Sequence, residues 1–263
     1  MNNKVRHLIF LLLLAAGITT AHAQDDNTPG IIQSSKLGWF YSLKAGFNIG
    51  GTAPLPIPQE IRRIESFSPG MAIAIEGNAT KWFATSRHWG ISIGLRLENK
   101  NMTTQAIVKN YGMKLINADS GSYLEGLWTG GVKTKVKGSY LTVPVLANYK
   151  ISQRWKILVG PYLSYLLEGD FSGHVYEGHL RTPDPTGARV DFSGTSIATY
   201  DFSSDLRRLL WGVQLGGEWQ AFRHLSVHAD LTWGLNDIFQ SDFQTIAFAM
   251  YPIYLNLGFG YSF

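Results

Sequence analysis

The sequence predicts an all-β protein: an eight-stranded antiparallel transmembrane β-barrel with short periplasmic turns and long extracellular loops. Two observations support this prediction. Apolar side chains recur at every second position in eight segments, which is the pattern of a strand with one apolar face. Only 16% of the 263 residues are charged while 13% are aromatic, whereas a soluble domain usually has about 25% charged residues. The combination is typical of a barrel in the outer membrane of a Gram-negative bacterium.

Residues 1–23 are predicted to be a cleaved signal peptide. Two basic residues precede an apolar stretch over residues 8–16, and Ala-His-Ala at residues 21–23 has the pattern of a cleavage site. The apolar stretch is too short to span a bilayer, which disfavours the alternative of an N-terminal membrane anchor. Residues 24–38 are then expected to form a periplasmic segment, and residues 39–263 the barrel.

The eight alternating segments have lengths close to the 9 to 11 residues that a tilted strand needs to cross a bilayer. They lie at residues 41–49, 71–78, 89–98, 141–151, 155–165, 209–219, 225–233 and 251–263. Trp, Tyr and Phe recur at their ends, as in the aromatic girdles of outer-membrane barrels. A secreted β-sandwich also alternates, but here the polar face carries charges and glycines in mid-strand, which favours a narrow lumen.

The connections between these segments alternate between short and long. The short ones are residues 80–88, 152–154 and 220–223, and the long ones are residues 50–67, 99–136, 168–206 and 236–246. Outer-membrane barrels place short turns in the periplasm, so both termini are expected there. Phe263 is then expected to form part of a C-terminal signal for the barrel-insertion machinery. Alternation persists over Met102–Met113 and Val132–Lys137, which predicts a protruding hairpin whose edges can pair with another chain.

Charged residues of both signs occupy the predicted inward face. They are Lys44, Glu76, Arg96, Glu98, Lys150, Lys156, Glu218, His228 and Asp230. Buried charges are costly unless they are paired, so this set predicts an ion-pair network in the lumen. Eight strands leave an interior wide enough only for side chains or one small ligand, which disfavours a general porin.

His228 and Asp230 provide the alternative of a membrane-embedded hydrolase. They are two positions apart on one strand face, about 7 Å along the chain, and with Glu218 on a neighbouring strand they could activate water. However, they begin a strand at its periplasmic end, and the sequence contains no Gly-x-Ser-x-Gly motif. We therefore predict no catalytic residues.

A second group of polar residues lies in the third long loop, where His174, Glu177 and His179 follow Asp170. A metal site needs its ligands in a fixed geometry, and this stretch is rich in Gly, Ser and Thr. We therefore predict a solvated loop without a metal site, and we expect no cofactor. The nearly balanced charge also disfavours nucleic acid as a partner.

Four stretches resemble the PorT-like outer membrane protein β-barrel family. YLTVPVLANYKI at residues 140–151, followed by VGPYLSYLL at residues 159–167, is similar to the central hairpin of that family. LKAGFN at residues 43–48 and LGFGYSF at residues 257–263 are similar to its ends. The resemblance implies a barrel in the outer membrane and implies no shared catalytic residues.

The function predicted from the sequence is that of a non-enzymatic barrel. Its long loops would bind an envelope protein or an extracellular ligand, or the protein would be a component of an envelope or secretion assembly. The expected surroundings are outer-membrane lipid and, during assembly, the insertion machinery. Two alternatives are a narrow channel or small hydrophobic-ligand transporter, and the hydrolase described above.

Overall fold

The computed structural model describes residues 38–84, 88–117, 123–192, 198–243, 245–246 and 248–263. The predicted signal peptide and residues 24–37 of the N-terminal segment lie outside this part. Within the described ranges, no helix is long and apolar enough to cross a membrane. These residues form eleven β-strands and one 3-10 turn at Ser203–Asp205.

The strands form one antiparallel sheet. They are β1 (Trp39–Pro54), β2 (Ile61–Pro69), β3 (Ala72–Trp82), β4 (Trp89–Asn117), β5 (Tyr123–Lys150), β6 (Trp155–Thr182), β7 (Ala188–Phe192), β8 (Ala198–Asp201), β9 (Leu209–Gln220), β10 (Leu225–Gly234) and β11 (Met250–Ser262). The predicted number of eight strands is therefore wrong. The additional strands β2, β7 and β8 fall mainly in the predicted long loops, where they supply hydrogen-bonding partners to the edges of longer strands.

The eight long strands match the eight predicted segments, and each of them pairs with two others. The order of pairing is β4, β3, β1, β11, β10, β9, β6 and β5, and β5 pairs again with β4. The links between β5 and β6 and between β9 and β10 are short, as predicted. Phe263 lies at the same end of the sheet as these links, where its N–H donates a 3.1 Å hydrogen bond to the Tyr41 carbonyl.

Alternation separates the two faces of these strands. In β10 every odd-numbered residue is exposed and every even-numbered residue is buried. Leu215, Leu231 and Leu255 lie side by side across three strands and form an aliphatic row on the outer face. Aromatic residues border this apolar band at both ends: Tyr41, Trp89, Tyr149, Trp155, Trp219 and Tyr261 at the short-link end, and Tyr165, Trp211, Trp233 and Tyr251 at the other. The apolar side chains thus face outward and the polar ones inward, which suits a lipid surrounding.

Three neighbouring strands extend far beyond this band. β4, β5 and β6 contain 29, 28 and 28 residues, about three times the length that crosses a bilayer. Their distal parts, together with β2, β7 and β8, form what we call the platform (residues 61–69, 101–117, 123–137, 169–192 and 198–201). The predicted hairpin of Met102–Met113 with Val132–Lys137 is confirmed by the ladder between β4 and β5. The prediction that residues 99–136 and 168–206 are loops is wrong, because most of them are strand.

A hydrophobic core fills the platform. β8 pairs with both β6 and β4, so the distal strands form a second, smaller circuit around this core. Trp128 is 0% exposed, its ring packs edge-on against Phe192 at 5.4 Å, and its indole N–H donates to the Gly131 carbonyl at 3.2 Å. The other core residues include Met113, Leu115, Val132, Phe171, Val175, Leu180, Ala198, Tyr200 and Phe202. The platform is therefore a folded unit rather than a set of solvated loops.

We expect Trp128→Ala to destabilise the platform by about 3–5 kcal/mol, because it removes a large buried side chain and leaves a cavity. Limited proteolysis should cut the variant within residues 101–201, while the heat-modifiable mobility of the remaining barrel is kept. Val190→Ala, at an exposed site on β7, is the control and should resist the protease. Equal resistance of both variants would show that the core does not hold the platform together.

Candidate functional site: the polar interior and the platform

The predicted interior residues meet in the middle of the eight long strands. Lys44, Glu76, Arg96, Glu98, Glu218, His228 and Asp230 are each at most 4% exposed. The register of the strands brings opposite charges together, since Lys44 lies opposite Glu76 and Glu76 lies opposite Arg96. The period-two pattern that exposes apolar residues to the outside also determines this arrangement.

Arg96 is at the centre of the first half of the network. Its Nε pairs with Glu76, its Nη1 lies 3.9 Å from Glu98, and its Nη2 donates a 2.9 Å hydrogen bond to the Gln214 side-chain oxygen. Glu98 also pairs with Lys100 at 3.0 Å. One guanidinium group therefore connects β3, β4 and β9 across the interior.

Lys44 is at the centre of the second half. Its Nζ lies 3.4 Å from both Glu218 and Asp230, and Glu218 also pairs with Lys156 at 2.8 Å. Taken together, the two halves contain four cations and four carboxylates: Lys44, Arg96, Lys100 and Lys156 with Glu76, Glu98, Glu218 and Asp230. Such a balance offsets the cost of removing these charges from water.

Lys150 lies apart from this network. Its Nζ is 3.8 Å from the centroid of the Trp82 ring, at the end of the sheet that carries the short links. There it lines an open mouth of about 280 Å³ together with Arg154, Lys156 and Glu218. The structure therefore places two of the predicted interior lysines, Lys150 and Lys156, at the mouth of the interior.

The residues of the hydrolase alternative are engaged with other partners. The Nε2 atom of His228 is 2.8 Å from the Asn256 side-chain oxygen, whereas Asp230 and Glu218 both contact Lys44. Glu218 lies opposite His228 in the ladder, yet its carboxylate is paired with lysines. The geometry therefore gives no support to a water-activating pair of histidine and carboxylate.

Aromatic rings close the interior on the platform side. The Nζ atom of Lys100 lies 5.3 Å, 5.6 Å and 5.5 Å from the ring centroids of Tyr140, Tyr162 and Tyr254, respectively. Below this layer lies a gap that is too small for a water molecule; it is bounded by Lys44, Ala74, Glu76, Arg96, His228, Asp230 and Asn256. Side chains therefore leave no room for a solute in this gap.

Lys100 was not predicted to lie in the interior, and Asn48 and Asn256, which occupy the polar faces of their predicted strands, were not predicted to join the network. Asn48 receives a 2.8 Å hydrogen bond from Asn256 and donates one of 3.0 Å to Glu98. All three occupy even-numbered positions, in phase with the charges that were predicted on their strands. Extending that phase by one step beyond Glu98 would have identified Lys100.

The polar residues of the predicted third loop lie on β6 within the platform. His174 and Asp170 are opposite Lys133 and Lys137 of β5. Partial burial, and then the charge of Lys133, hold the pKa of His174 below its ordinary value. Over the ranges that the structure describes, no group of three or more His, Cys, Asp or Glu residues is placed to hold a metal ion.

Comparison with known proteins identifies the family. A family model described as "Outer membrane protein beta-barrel domain" matches residues 23–240. The chain belongs to this family. Membership implies the outer membrane of a Gram-negative bacterium. The match does not distinguish the narrower PorT-like group, and no curated protein matches the chain.

Three solved structures illustrate the similarity of the fold. The attachment invasion locus protein Ail of Yersinia pestis is 11% identical over 86% of this chain and 99% of its own, with a TM-score of 0.36. Neisserial surface protein A is 9% identical over 86% and 97%, with a TM-score of 0.31. The outer membrane protease OmpT of Escherichia coli is 12% identical over 86% and 96%, with a TM-score of 0.32. Sequence identities and TM-scores this low do not indicate whether this chain is an enzyme.

We expect Arg96→Met to cost about 3–5 kcal/mol, because it leaves Glu76 buried without its cation. The double variant Arg96→Met/Glu76→Gln should recover part of this loss. Lys156→Met, at the more open mouth, should cost about 1 kcal/mol or less. Urea titration of the folded form by heat-modifiable mobility measures all three. Equal losses for Arg96→Met and Lys156→Met would contradict the assignment of Arg96 to the centre of the network.

Proposed function

We propose that the eight long strands form a closed transmembrane barrel that is not an enzyme, and that its platform lies outside the cell and binds an anionic partner. The observation that carries this proposal is the folded platform, because a hydrophobic core holds its outer face in one shape. Binding residues are commonly presented by such a rigid scaffold.

The pairings and the links support the closure and the orientation. Each long strand pairs with two others of the eight, and the order of pairing returns to its starting strand, which supports a closed barrel in lipid. The short links, the start of β1 and the end of β11 lie on one side of the barrel. The platform lies on the opposite side. Outer-membrane barrels have their short turns in the periplasm, which supports periplasmic termini and an extracellular platform.

The filled interior supports a site on the platform. A narrow channel would need the buried ion pairs and the Lys100–tyrosine layer to move apart, and breaking a buried pair is costly. A hydrolase would need a base that is free of structural partners, and His228 and its neighbouring carboxylates have such partners. Binding at the outer face of the platform requires neither the breaking of buried ion pairs nor a catalytic base.

A column of lysines on that face favours an anionic partner. Lys133, Lys135 and Lys137 point to the same side of β5, in steps of about 7 Å. On β4 their neighbours are Gln105, Thr103 and Asn101, and on β6 they are His174, Ser172 and Asp170. Two of the lysines, Lys135 and Lys137, are exposed. One acidic neighbour, Asp170, leaves the column with net positive charge, which attracts polyanions over about a Debye length.

We expect the triple substitution of Lys133, Lys135 and Lys137 by Gln to weaken binding to dextran sulfate about tenfold at low salt, since each exposed ionic contact contributes up to about 1 kcal/mol. The purified barrel would be loaded on immobilised dextran sulfate and eluted with a salt gradient. The triple substitution by Arg keeps the charge and should elute with the wild type. If the Gln variant and the wild type eluted at the same salt concentration, the lysine column would not be the binding face.

A separate prediction tests the transmembrane placement. Leu215 lies in the aliphatic row and is 54% exposed, so Leu215→Arg should cost roughly 2–4 kcal/mol if this row lies near the bilayer midplane. Val190→Arg, on β7 of the platform, should cost much less because its arginine remains in water. Unfolding by urea after reconstitution into lipid vesicles measures both, and similar losses would place the row outside the membrane.

A further inference from the structure

The wall of the barrel contains a seam where two strands lie side by side without pairing. β1 pairs with β11 over its distal half, up to Pro54, but its ladder with β3 stops at Asn48. Beyond that point β1 lies against Phe67 of β2 and Met102 of β4, and the ladders among the described strands include β2 with β4 but none between β1 and β2. Residues 49–54 of β1 therefore have a backbone partner on one side only.

Weak contacts close the seam. The backbone N–H of Thr52 points across it and donates to the sulfur of Met102 at 3.1 Å, and a thioether is a weak acceptor. Pro54 has no N–H to donate, as is usual for an edge strand. A Cβ atom on Gly51 would lie 2.9 Å from the Phe67 ring. Side chains rather than a hydrogen-bonded ladder thus fill this part of the wall.

An apolar cavity of about 300 Å³ lies behind the seam. Both edges line it, with Gly51, Ala53 and Pro54 from β1 and Ile61, Ile64 and Phe67 from β2. Its inner wall is formed by Met102, Ala106, Val108, Val132, Phe171, Phe248 and Met250. Its polar side chains are the hydroxyl-bearing Thr52, Thr104, Thr134 and Tyr111, and no charged residue lines it. The chemistry of this lining selects a hydrocarbon and excludes an ionic group.

The seam opens at the outer margin of the lipid-facing band. Gly51 and Ala53 continue the outward phase of Phe47 and Ile49 along β1. Across the ladder they lie opposite Ile253 and Tyr251 of β11, and Tyr251 belongs to the aromatic margin on the platform side. The lipid-facing surface is thus continuous with the cavity, at the depth where acyl chains of the outer leaflet begin.

We infer that this cavity binds one acyl chain of an outer-leaflet lipid, which enters laterally between β1 and β2. The volume is at the lower end of small-molecule sites, about 300–1,000 Å³, and suits a single chain rather than a whole lipid. The polar headgroup stays outside at the interface. This site is independent of the anionic binding proposed for the outer face, because it uses the inner side of the strands.

Methionine methyl groups provide a direct test, because few methionines are present and two of them line the cavity. Met102 and Met250 are 3% and 7% exposed and point inward, whereas Met71 is 87% exposed next to β3. The protein would be deuterated except for its ¹³C-labelled methionine methyl groups and placed in phospholipid nanodiscs. We expect cross-relaxation peaks between lipid chain methylenes and the methyl groups of Met71, Met102 and Met250. Met113, which is 2% exposed in the platform core, should show none.

Matched substitutions test whether the lipid chain occupies the cavity behind the seam. Ala106→Phe fills the cavity and should remove the lipid peaks of Met102 and Met250 while that of Met71 remains. Ala147→Phe, the same change on the outer face, should leave all three peaks, as should the Gln variant of the lysine column. If Ala106→Phe does not fold, Thr104→Leu replaces it. Absence of lipid peaks at Met102 and Met250 while Met71 gives one would overturn the proposal, and so would their persistence in the filled variant.

Discussion

The charge-balanced network in the interior is the constraint on which the rest of the structure depends. Four cations and four carboxylates are tolerated away from water only because each faces an opposite charge. That requirement fixes the register of the strands, since a slip by one residue would turn Arg96 toward lipid and an aliphatic side chain toward Glu76. The apolar band, the aromatic margins and the position of the platform all follow from this register.

The sequence was sufficient to predict the eight long strands, because alternation identifies a strand wherever its two faces meet different surroundings. The predicted interior residues Lys44, Glu76, Arg96 and Asp230 are buried, and their phase opposes that of the exposed apolar residues. Outside the predicted hairpin of β4 and β5, the platform was mistaken for loops, and the phase of the buried apolar residues changes along β4. Up to Leu97 the odd positions carry exposed apolar residues, whereas Met102 and Val108, at even positions, are buried. Beyond this point the inner face carries the apolar residues that pack in the platform core.

Other features depend on pairing between distant segments, which local patterns do not contain. The strands β7 and β8 are four or five residues long, too short to show a period, and they form because β6 and β4 present unpaired edges. The seam between β1 and β2 arises because β3 begins too late in the chain to accompany β1 along its whole length. The cavity behind it is therefore visible only in three dimensions, although every residue that lines it is ordinary in the sequence.

The bond between Asn256 and Asn48 joins residues that are 208 positions apart, and Lys44 of the first strand reaches Asp230 of the tenth. Lys44 of the first strand to be synthesised therefore meets its ion-pair partners Glu218 and Asp230 only when nearly the whole chain is available. Contacts of such long range form slowly, so a partly inserted sheet carries uncompensated charge until its final hairpin arrives. Closure of the circuit and neutralisation of the interior thus become a single late event, which makes assembly of this protein close to all-or-none.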